Sequence, residues 1–173
     1  ELGIRLTGAA QEQRYREALA MLERRGADVE RQVRLLHDLT THLRRRGVLE
    51  HVVATDREAV RRAEAAFGSH DYRTGQAMVH LADQLVYLEP DDAAADSLYA
   101  NGMRLIEARF GTHSTRLLPA LYGLAALHDS RARHAEAEVL LRRAYDIRRA
   151  ASGGAHPGLA ADLRRIALQV ARQ

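Results

Sequence analysis

The nine histidines of this 173-residue chain invite a metal hypothesis, because imidazole is a common zinc ligand. His70, His113 and His156 recur at intervals of 43 residues, which predicts equivalent places in successive structural repeats, on the order of 10 Å apart. One zinc ion requires bonds of about 2.0–2.1 Å to every ligand. The closest pairs in sequence also lack the i, i+4 spacing of a helical metal site, namely His37 with His42 and His128 with His134. We therefore predict no metal site, and expect the three recurring histidines to brace corners by packing and a backbone hydrogen bond.

The sequence also lacks the residue patterns that would indicate catalysis. The chain has no cysteine, which excludes disulfides, thiolate catalysis and Cys-based metal centres. It also lacks a glycine-rich phosphate loop, a GxSxG elbow and an HExxH motif. Its His–Asp pairs are adjacent in sequence, and neighbours on a helix point about 100° apart, which is poor geometry for a base and its orienting acid: His37-Asp38, His70-Asp71 and His128-Asp129. The sequence predicts neither an enzyme nor a cofactor.

The arginines raise the question of an anionic partner. The net charge is +3 and all 26 basic residues are arginine, while aromatic residues make up only 5% and tryptophan is absent. Base-stacking platforms are therefore poorly supplied, and most arginine pairs have acids at helical spacing, such as Glu58 with Arg61 and Arg62. This pattern favours solvated helix faces over a nucleic-acid surface, with RNA binding kept as a minor alternative.

A repeat organises the positions of these residues. The segment Glu64–His70 aligns with Glu107–His113 at five of seven positions, and the frame continues from Arg73 to Arg116 and from Leu81-Ala82 to Leu124-Ala125. Glycines close each segment at intervals of 42 or 43 residues: Gly26, Gly68, Gly111 and Gly153. Such self-similarity is typical of repeat proteins.

Each period contains two amphipathic segments. In the third, apolar residues recur every three or four positions from Leu117 to Ala125 and again from Ala137 to Ile147, which predicts two helices with a turn at 128–134. Gly153 is expected to end a helix in the left-handed conformation, and Pro157 to occupy the first turn of the next. Pro90 is expected to separate the helices of the second repeat, with Asp91 or Asp92 as N-cap.

Small residues mark the predicted helix crossings. One set is Thr40, Ala82, Ala125 and Ala167; another has a small–large–small order, Ala95-Tyr99-Gly102 and Ala137-Leu141-Ala144. The corresponding positions of the first repeat are Val52, Asp56 and Ala59, so an acid stands where a large apolar residue is expected. Either the register slips there or Asp56 finds an arginine partner.

This pattern resembles the tetratricopeptide repeat (TPR). The period of 42–43 and the corner Gly153-x-x-His156-Pro157 look like the longer kinesin-light-chain type, most clearly over residues 114–171. The resemblance implies an all-α fold: a right-handed α-solenoid of about eight antiparallel helices. The expected organisation is one domain over 1–173, with a half repeat at 10–25, repeats at 29–66, 72–109 and 114–151, and a closing helix at 157–171.

The resemblance also implies that inner helices direct fixed positions into a concave groove. Carried onto this chain, the candidate partner-binding residues are Arg34, His37, Thr41, Arg44, Gln76, Asp83, Tyr87, Tyr122, Asp129 and Arg164. The only asparagine, Asn101, falls on an outer-type helix, so neither the carboxylate clamp of chaperone-binding members nor the groove asparagines of kinesin light chains are present. Arginines suit an acidic segment and tyrosines suit an apolar anchor.

We therefore expect a non-catalytic module that binds a protein or peptide in the groove. Two alternatives stay open: a peptide-sensing regulatory domain of a larger signalling protein, and a self-associating scaffold. No apolar run approaches the roughly 20 residues that a membrane span requires. Nothing demands an oxidising environment, so we expect a cytoplasmic location, and the initial Glu1 leads us to expect a fragment of a longer chain.

Overall fold

The computed structural model describes residues 2–24, 28–49, 51–88 and 93–173, and within these ranges the chain is all-α without strands. The described residues form eight α-helices, and a 3₁₀ turn, Thr115–Leu117, precedes α6. The helices are α1 (Leu2–Arg24), α2 (Val29–Arg45), α3 (Val52–Phe67), α4 (Tyr72–Leu88), α5 (Ala94–Phe110), α6 (Leu118–Ser130), α7 (His134–Ser152) and α8 (Gly158–Val170). The first helix begins at Leu2, well before the start near residue 10 that the sequence pattern predicted.

The 43-residue repeat is visible in the corners between helix pairs. Gly68 and Gly111 end α3 and α5 with φ of 87° and 83°, a backbone region that side chains with a Cβ rarely adopt. After each corner a guanidinium lies over the preceding phenylalanine ring. Arg73 sits 3.7 Å from the Phe67 centroid, and Arg116 sits 4.4 Å from the centroid of Phe110. The same corner is thus built twice, from residues that the sequence alignment paired.

Other predicted helix ends can be compared directly. Gly153 adopts the left-handed conformation (φ 59°, ψ 24°) at the end of α7, as expected. Pro157 occupies the N-cap of α8, one position earlier than the first helical turn. The expected glycine corner at Gly26 and the cap formed by Pro90, Asp91 and Asp92 lie outside the described residues.

The recurring corner histidines do not brace their corners by packing. His70, His113 and His156 are all exposed. The Nδ1 atoms of His70 and His113 contact the hydroxyls of the preceding Ser69 and Thr112, at 3.0 and 3.1 Å. Of these three, the His156 imidazole accepts a backbone hydrogen bond within the described structure, from the Gly158 N–H at 2.9 Å. The predicted packing is wrong for all three because each corner places its histidine on the solvent side, whereas the predicted backbone hydrogen bond is present at His156.

The core follows the small–large–small pattern. All six residues of the second and third repeats that carry it are buried, and so are Thr40, Ala82 and Ala125 at the helix crossings. Ala167, predicted to occupy the corresponding crossing of α8, is exposed. It belongs to the last helix, and no described helix follows to pack over that face. The remaining core consists largely of leucine, valine and isoleucine from successive helices.

The order of contacts shows which face of the array is inner. Helix α2 contacts α4, and α4 contacts α6, although each pair is separated by a helix in sequence. Among the described residues, no comparable contact joins α3 to α5 or α5 to α7. A stacked array is narrower on the side where alternate helices touch, so α2, α4 and α6 line its concave face.

A bilayer crossing requires a long, apolar helix, and the described part of the chain contains none that meets both requirements.

Candidate binding groove

Along the inner helices, the described residues line three adjoining cavities. The arginine cavity, about 320 Å³, lies between α2, α4 and the start of α6, and its guanidiniums come from Arg34, Arg73 and Arg116. Its apolar lining includes Val33, Val79 and Ile106. This combination of an apolar floor and a cationic rim suits an amphipathic ligand of opposite charge.

The rim arginines differ in how strongly they are already engaged. The exposed Arg34 pairs with Glu30 at 3.1 Å, and Arg73 pairs with Asp71 at 2.9 Å. The Arg73 guanidinium holds the pKa of the Asp71 carboxyl below its usual range, mainly through the side-chain hydrogen bond. Within the described residues Arg116 has no carboxylate partner and only stacks on Phe110. A ligand carboxylate could therefore pair with Arg116 without breaking an existing ion pair, which it could not do at Arg34 or Arg73.

The second, tyrosine cavity lies between α4 and α6 and measures about 410 Å³; its lining includes Arg44, Asp83, Tyr87, Tyr99 and Gly123. Tyr87 is 60% exposed, and Arg44 lies 5.2 Å from the centroid of its ring. The Tyr99 hydroxyl donates to the Asp83 carboxylate at 2.5 Å. Burial raises the pKa of Asp83, with the Tyr99 hydrogen bond opposing that shift.

The third, terminal cavity, about 260 Å³, lies between α6 and α8 and is lined by Tyr122, Asp129, Arg165 and Leu168, among others. Two of these polar groups already hold the fold together. The Tyr122 hydroxyl donates to Asp162 at 2.7 Å and accepts from Arg148 at 2.7 Å. Asp129 accepts from Arg172 at 2.6 Å. Tyr122 therefore fixes α8 through the fully buried Asp162 rather than presenting a free hydroxyl.

The residues predicted from sequence for the groove are distributed over three adjoining cavities, since His80 and Asp83 line both the arginine and the tyrosine cavity and Ala126 lines both the tyrosine and the terminal cavity. The arginine cavity contains Arg34, His37, Gln76 and Asp83; the tyrosine cavity contains Arg44, Asp83 and Tyr87; and the terminal cavity contains Tyr122 and Asp129. Thr41 is half-buried and Arg164 is exposed, and neither lines these three cavities. Among the closing-helix arginines, Arg165 faces the groove, 4.9 Å from the Tyr122 centroid.

Arg73 and Arg116 are among the groove residues that the sequence did not predict, and His80 and Arg165 are others. Arg73 and Arg116 occupy equivalent corner positions in the 43-residue repeat, and the repeat alone predicts only a helix boundary there. The conserved geometry of the corner directs both guanidiniums toward the inner face. A recurrent cation directly after a corner glycine is the sequence signal that identifies them.

Among the described residues, no arginine pairs with Asp56 at the first crossing. Its carboxylate is fully buried, accepts from the Thr40 hydroxyl at 3.1 Å and lies 3.0 Å from Nδ1 of His80. His37 stacks on His80, with ring centroids 4.0 Å apart and an interplanar angle of 12°. The predicted register was correct, and the acid is accommodated by a hydroxyl and an imidazole instead of a guanidinium.

Comparison with known proteins supports the fold only. No protein-family model matches the chain, and no curated protein matches it. Among solved structures, the crystal structure of BtubC (BKLC) from P. vanneervenii is similar, with a TM-score of 0.79 and 18% sequence identity. The match covers 96% of this chain and 66% of that protein. The chain thus has a TPR-like helical-repeat fold, an all-α solenoid.

Proposed function

We propose that this chain is a non-catalytic interaction module whose groove binds a peptide or partner helix that carries acidic residues beside an apolar anchor. The observation that carries the proposal is the arginine cavity, in which Arg34, Arg73 and Arg116 surround an apolar floor on the inner helices. We also assign the repeat to the kinesin-light-chain type, on the basis of its period of 42–43 residues and its Gly-x-x-His-Pro corner.

The electrostatics of the cavity favour a carboxylate over a phosphate-rich partner. Glu30 and Asp83 line the same cavity as the three arginines, so its charge is mixed rather than uniformly positive. A nucleic-acid backbone requires a continuous run of cations, whereas a single ligand carboxylate requires one or two well-placed guanidiniums. Arg116, which stacks on Phe110, supplies one without breaking an existing ion pair.

Selection from a displayed peptide library tests this proposal. The wild-type chain is the bait, and an Arg34→Glu/Arg116→Glu variant serves for counter-selection. Enriched peptides are expected to contain Asp or Glu next to an apolar residue, and Arg116→Glu is expected to weaken their binding at least about tenfold in fluorescence anisotropy.

Arg164→Glu is the matched control, because Arg164 is an exposed arginine of α8 outside the three cavities. It changes the net charge as much as Arg116→Glu does and is expected to leave affinity within about twofold. Equal losses from Arg116→Glu and Arg164→Glu would show a non-specific charge effect and reject the groove. Tyr122→Ala is unsuitable as a probe, since the Tyr122 hydroxyl anchors Asp162.

A self-associating scaffold is the second candidate, favoured by the apolar surface of α8. Leu163, Leu168 and Val170 are each about half exposed, at 50%, 48% and 50%. Sedimentation velocity over a concentration series distinguishes the two functions. A dimer abolished by Leu163→Asp but unchanged by Arg116→Glu would favour self-association, whereas a monomer at all concentrations would remove it.

A further inference from the structure

We propose that His37, Asp56 and His80 form a binding site for one divalent transition-metal ion of the zinc type, with an open coordination position toward the arginine cavity. Each residue offers one ligand atom, and these three atoms all lie within 4.8 Å of one another. The residues come from α2, α3 and α4, so the site forms only when the first two repeats pack together. Two imidazoles and one carboxylate match the donors that zinc accepts.

The first support is an imidazole nitrogen that the fold leaves without a partner. Nε2 of His37 is buried and makes no hydrogen bond within the described structure. A buried polar atom without a partner costs free energy, and a bound metal ion is one group that could satisfy this nitrogen.

The second support is the environment of Asp56. Its side chain is fully buried, and its two oxygens have only the Thr40 hydroxyl and Nδ1 of His80 as hydrogen-bond partners in the described structure. A buried carboxylate is costly unless a cation or several donors compensate it. A divalent ion would supply that charge while the Thr40 hydroxyl continues to orient the carboxylate, an arrangement typical of metal-binding acids.

Metal binding requires the site to close and the two rings to reorient. Ligand atoms around a tetrahedral zinc ion lie about 3.3 Å apart, given bonds of about 2.0–2.1 Å, so the 4.8 Å upper limit exceeds the required separation by about 1.5 Å. The His37 and His80 rings, stacked with an interplanar angle of 12°, must also unstack so that one nitrogen of each points at the same ion. Because His37 and His80 also line the arginine cavity, the fourth position would face the groove.

Titration of tag-free protein with Zn²⁺ by isothermal calorimetry, and with Co²⁺ by visible absorption, tests the site directly. The expected result is one ion per chain, a rise in Tm with Zn²⁺ and the d–d bands of four- or five-coordinate Co²⁺. Absence of stoichiometric binding by the wild-type chain would overturn the proposal.

Variants then identify the ligands. His37→Gln and His80→Gln are each expected to weaken binding at least about tenfold. His134→Gln is the matched control, because Nδ1 of His134 also lies beside an aspartate, 3.1 Å from Asp129, without belonging to a three-residue cluster. Binding that survives His37→Gln and His80→Gln together, or that His134→Gln weakens equally, would contradict the assignment.

Folding does not confound this test. His37→Gln removes a ring whose Nε2 has no hydrogen-bond partner, so the metal-free variant is expected to keep the wild-type circular dichroism spectrum. If His80→Gln loses that spectrum because Asp56 loses its partner, His37→Gln alone still decides between the site and ordinary packing. A merely structural His37 would leave the Co²⁺ bands unchanged on substitution.

Discussion

Two crossings between successive repeats use the same positions and fill them with side chains of opposite size. Between α3 and α4, the short Asp56 meets the large His80. Between α5 and α6, the large Tyr99 meets Gly123, and a Cβ on Gly123 would lie 2.2 Å from the Tyr99 hydroxyl. Each crossing thus pairs one large and one small residue, which shows that the repeat preserves the volume of the contact rather than its chemistry.

In the third repeat, the position equivalent to Asp56 and Tyr99 is occupied by an apolar residue. Leu141 lies where Asp56 and Tyr99 lie in the earlier repeats, and it packs in a cluster with Ala125, Ala137 and Ile166. Polar groups at the first two crossings, by contrast, require specific partners: Thr40 and His80 for Asp56, and Asp83 for Tyr99. The polar crossings therefore depend on the identity of their partners in a way that the third does not.

Leu141→Asp is expected to cause the largest loss of stability at these crossings. It places a carboxylate at the Asp56-equivalent position among apolar neighbours, and we expect a loss of about 3–5 kcal/mol in unfolding free energy. Urea denaturation followed by circular dichroism measures it. Val139→Asp, on the same helix at a 67% exposed position, is the control and should change stability by less than about 0.5 kcal/mol. A tolerated Leu141→Asp would show that the third crossing also accepts polar chemistry.

Gly123→Ala tests the exchange of large and small residues. The added Cβ would meet the Tyr99 hydroxyl at 2.2 Å and Asp83 Oδ1 at 2.5 Å, so we expect a loss of about 1–3 kcal/mol. In a Tyr99→Leu background the same substitution should cost less, because the hydroxyl and the ring are gone. A thermodynamic cycle of the four proteins measures the coupling. Equal costs in both backgrounds would contradict the volume argument.

Lowering the pH should reduce the free energy of unfolding, because His37, which stacks on His80 at the first crossing, binds a proton more readily in the unfolded chain. The unfolded chain binds a proton at His37 near pH 6.5, whereas the folded chain binds it only near pH 3. The unfolded state therefore carries more protons between these values, and stability falls as pH decreases through that window. Between pH 7 and pH 5 the expected loss is about 1–2 kcal/mol, read from urea midpoints of metal-free protein. His37→Gln should flatten the profile; an unchanged slope would exclude His37 as its source.

The smallest effect is expected from the exposed face of the helix that carries Asp56. Arg61 pairs with Glu58 at 2.6 Å, but its side chain is 65% exposed. Arg61→Ala should therefore cost less than about 0.5 kcal/mol in a urea titration. A loss above about 1 kcal/mol in unfolding free energy would mean that the Arg61–Glu58 ion pair contributes to the stability of the first crossing.

Sequence reasoning recovered the helices and their order because those depend on local periodicity. The Gly68 and Gly111 corners, and the buried positions of Tyr99 and Leu141, all followed from a repeat of 43 residues. The Asp56–His80 contact could not be found in this way, since its members lie 24 residues apart on different helices. An acid at a large-apolar position did signal a buried partner, but the partner's identity depends on how the repeats pack.

Which side chains line the three inner cavities could be predicted only in part, for a related reason. Positions on one helix face, such as Arg34 and Gln76, follow from the repeat register. The choice between Arg164 and Arg165 depends on the rotation of α8, which the buried Asp162 sets through Arg148 and Tyr122. The Tyr122–Asp162 hydrogen bond joins residues 40 positions apart and produces no periodic pattern from which the sequence could predict it.

The pairing of Tyr99 with Gly123 also constrains how such a chain can grow by duplication. A tandem copy of the second repeat, residues 72–110, would bring a second His80 against Tyr99, at the place where even a methyl group collides. An exact copy of the second repeat would therefore clash with the original at the junction between them. Lengthening this solenoid requires matched substitutions on both sides of each new junction, so its repeats are not interchangeable.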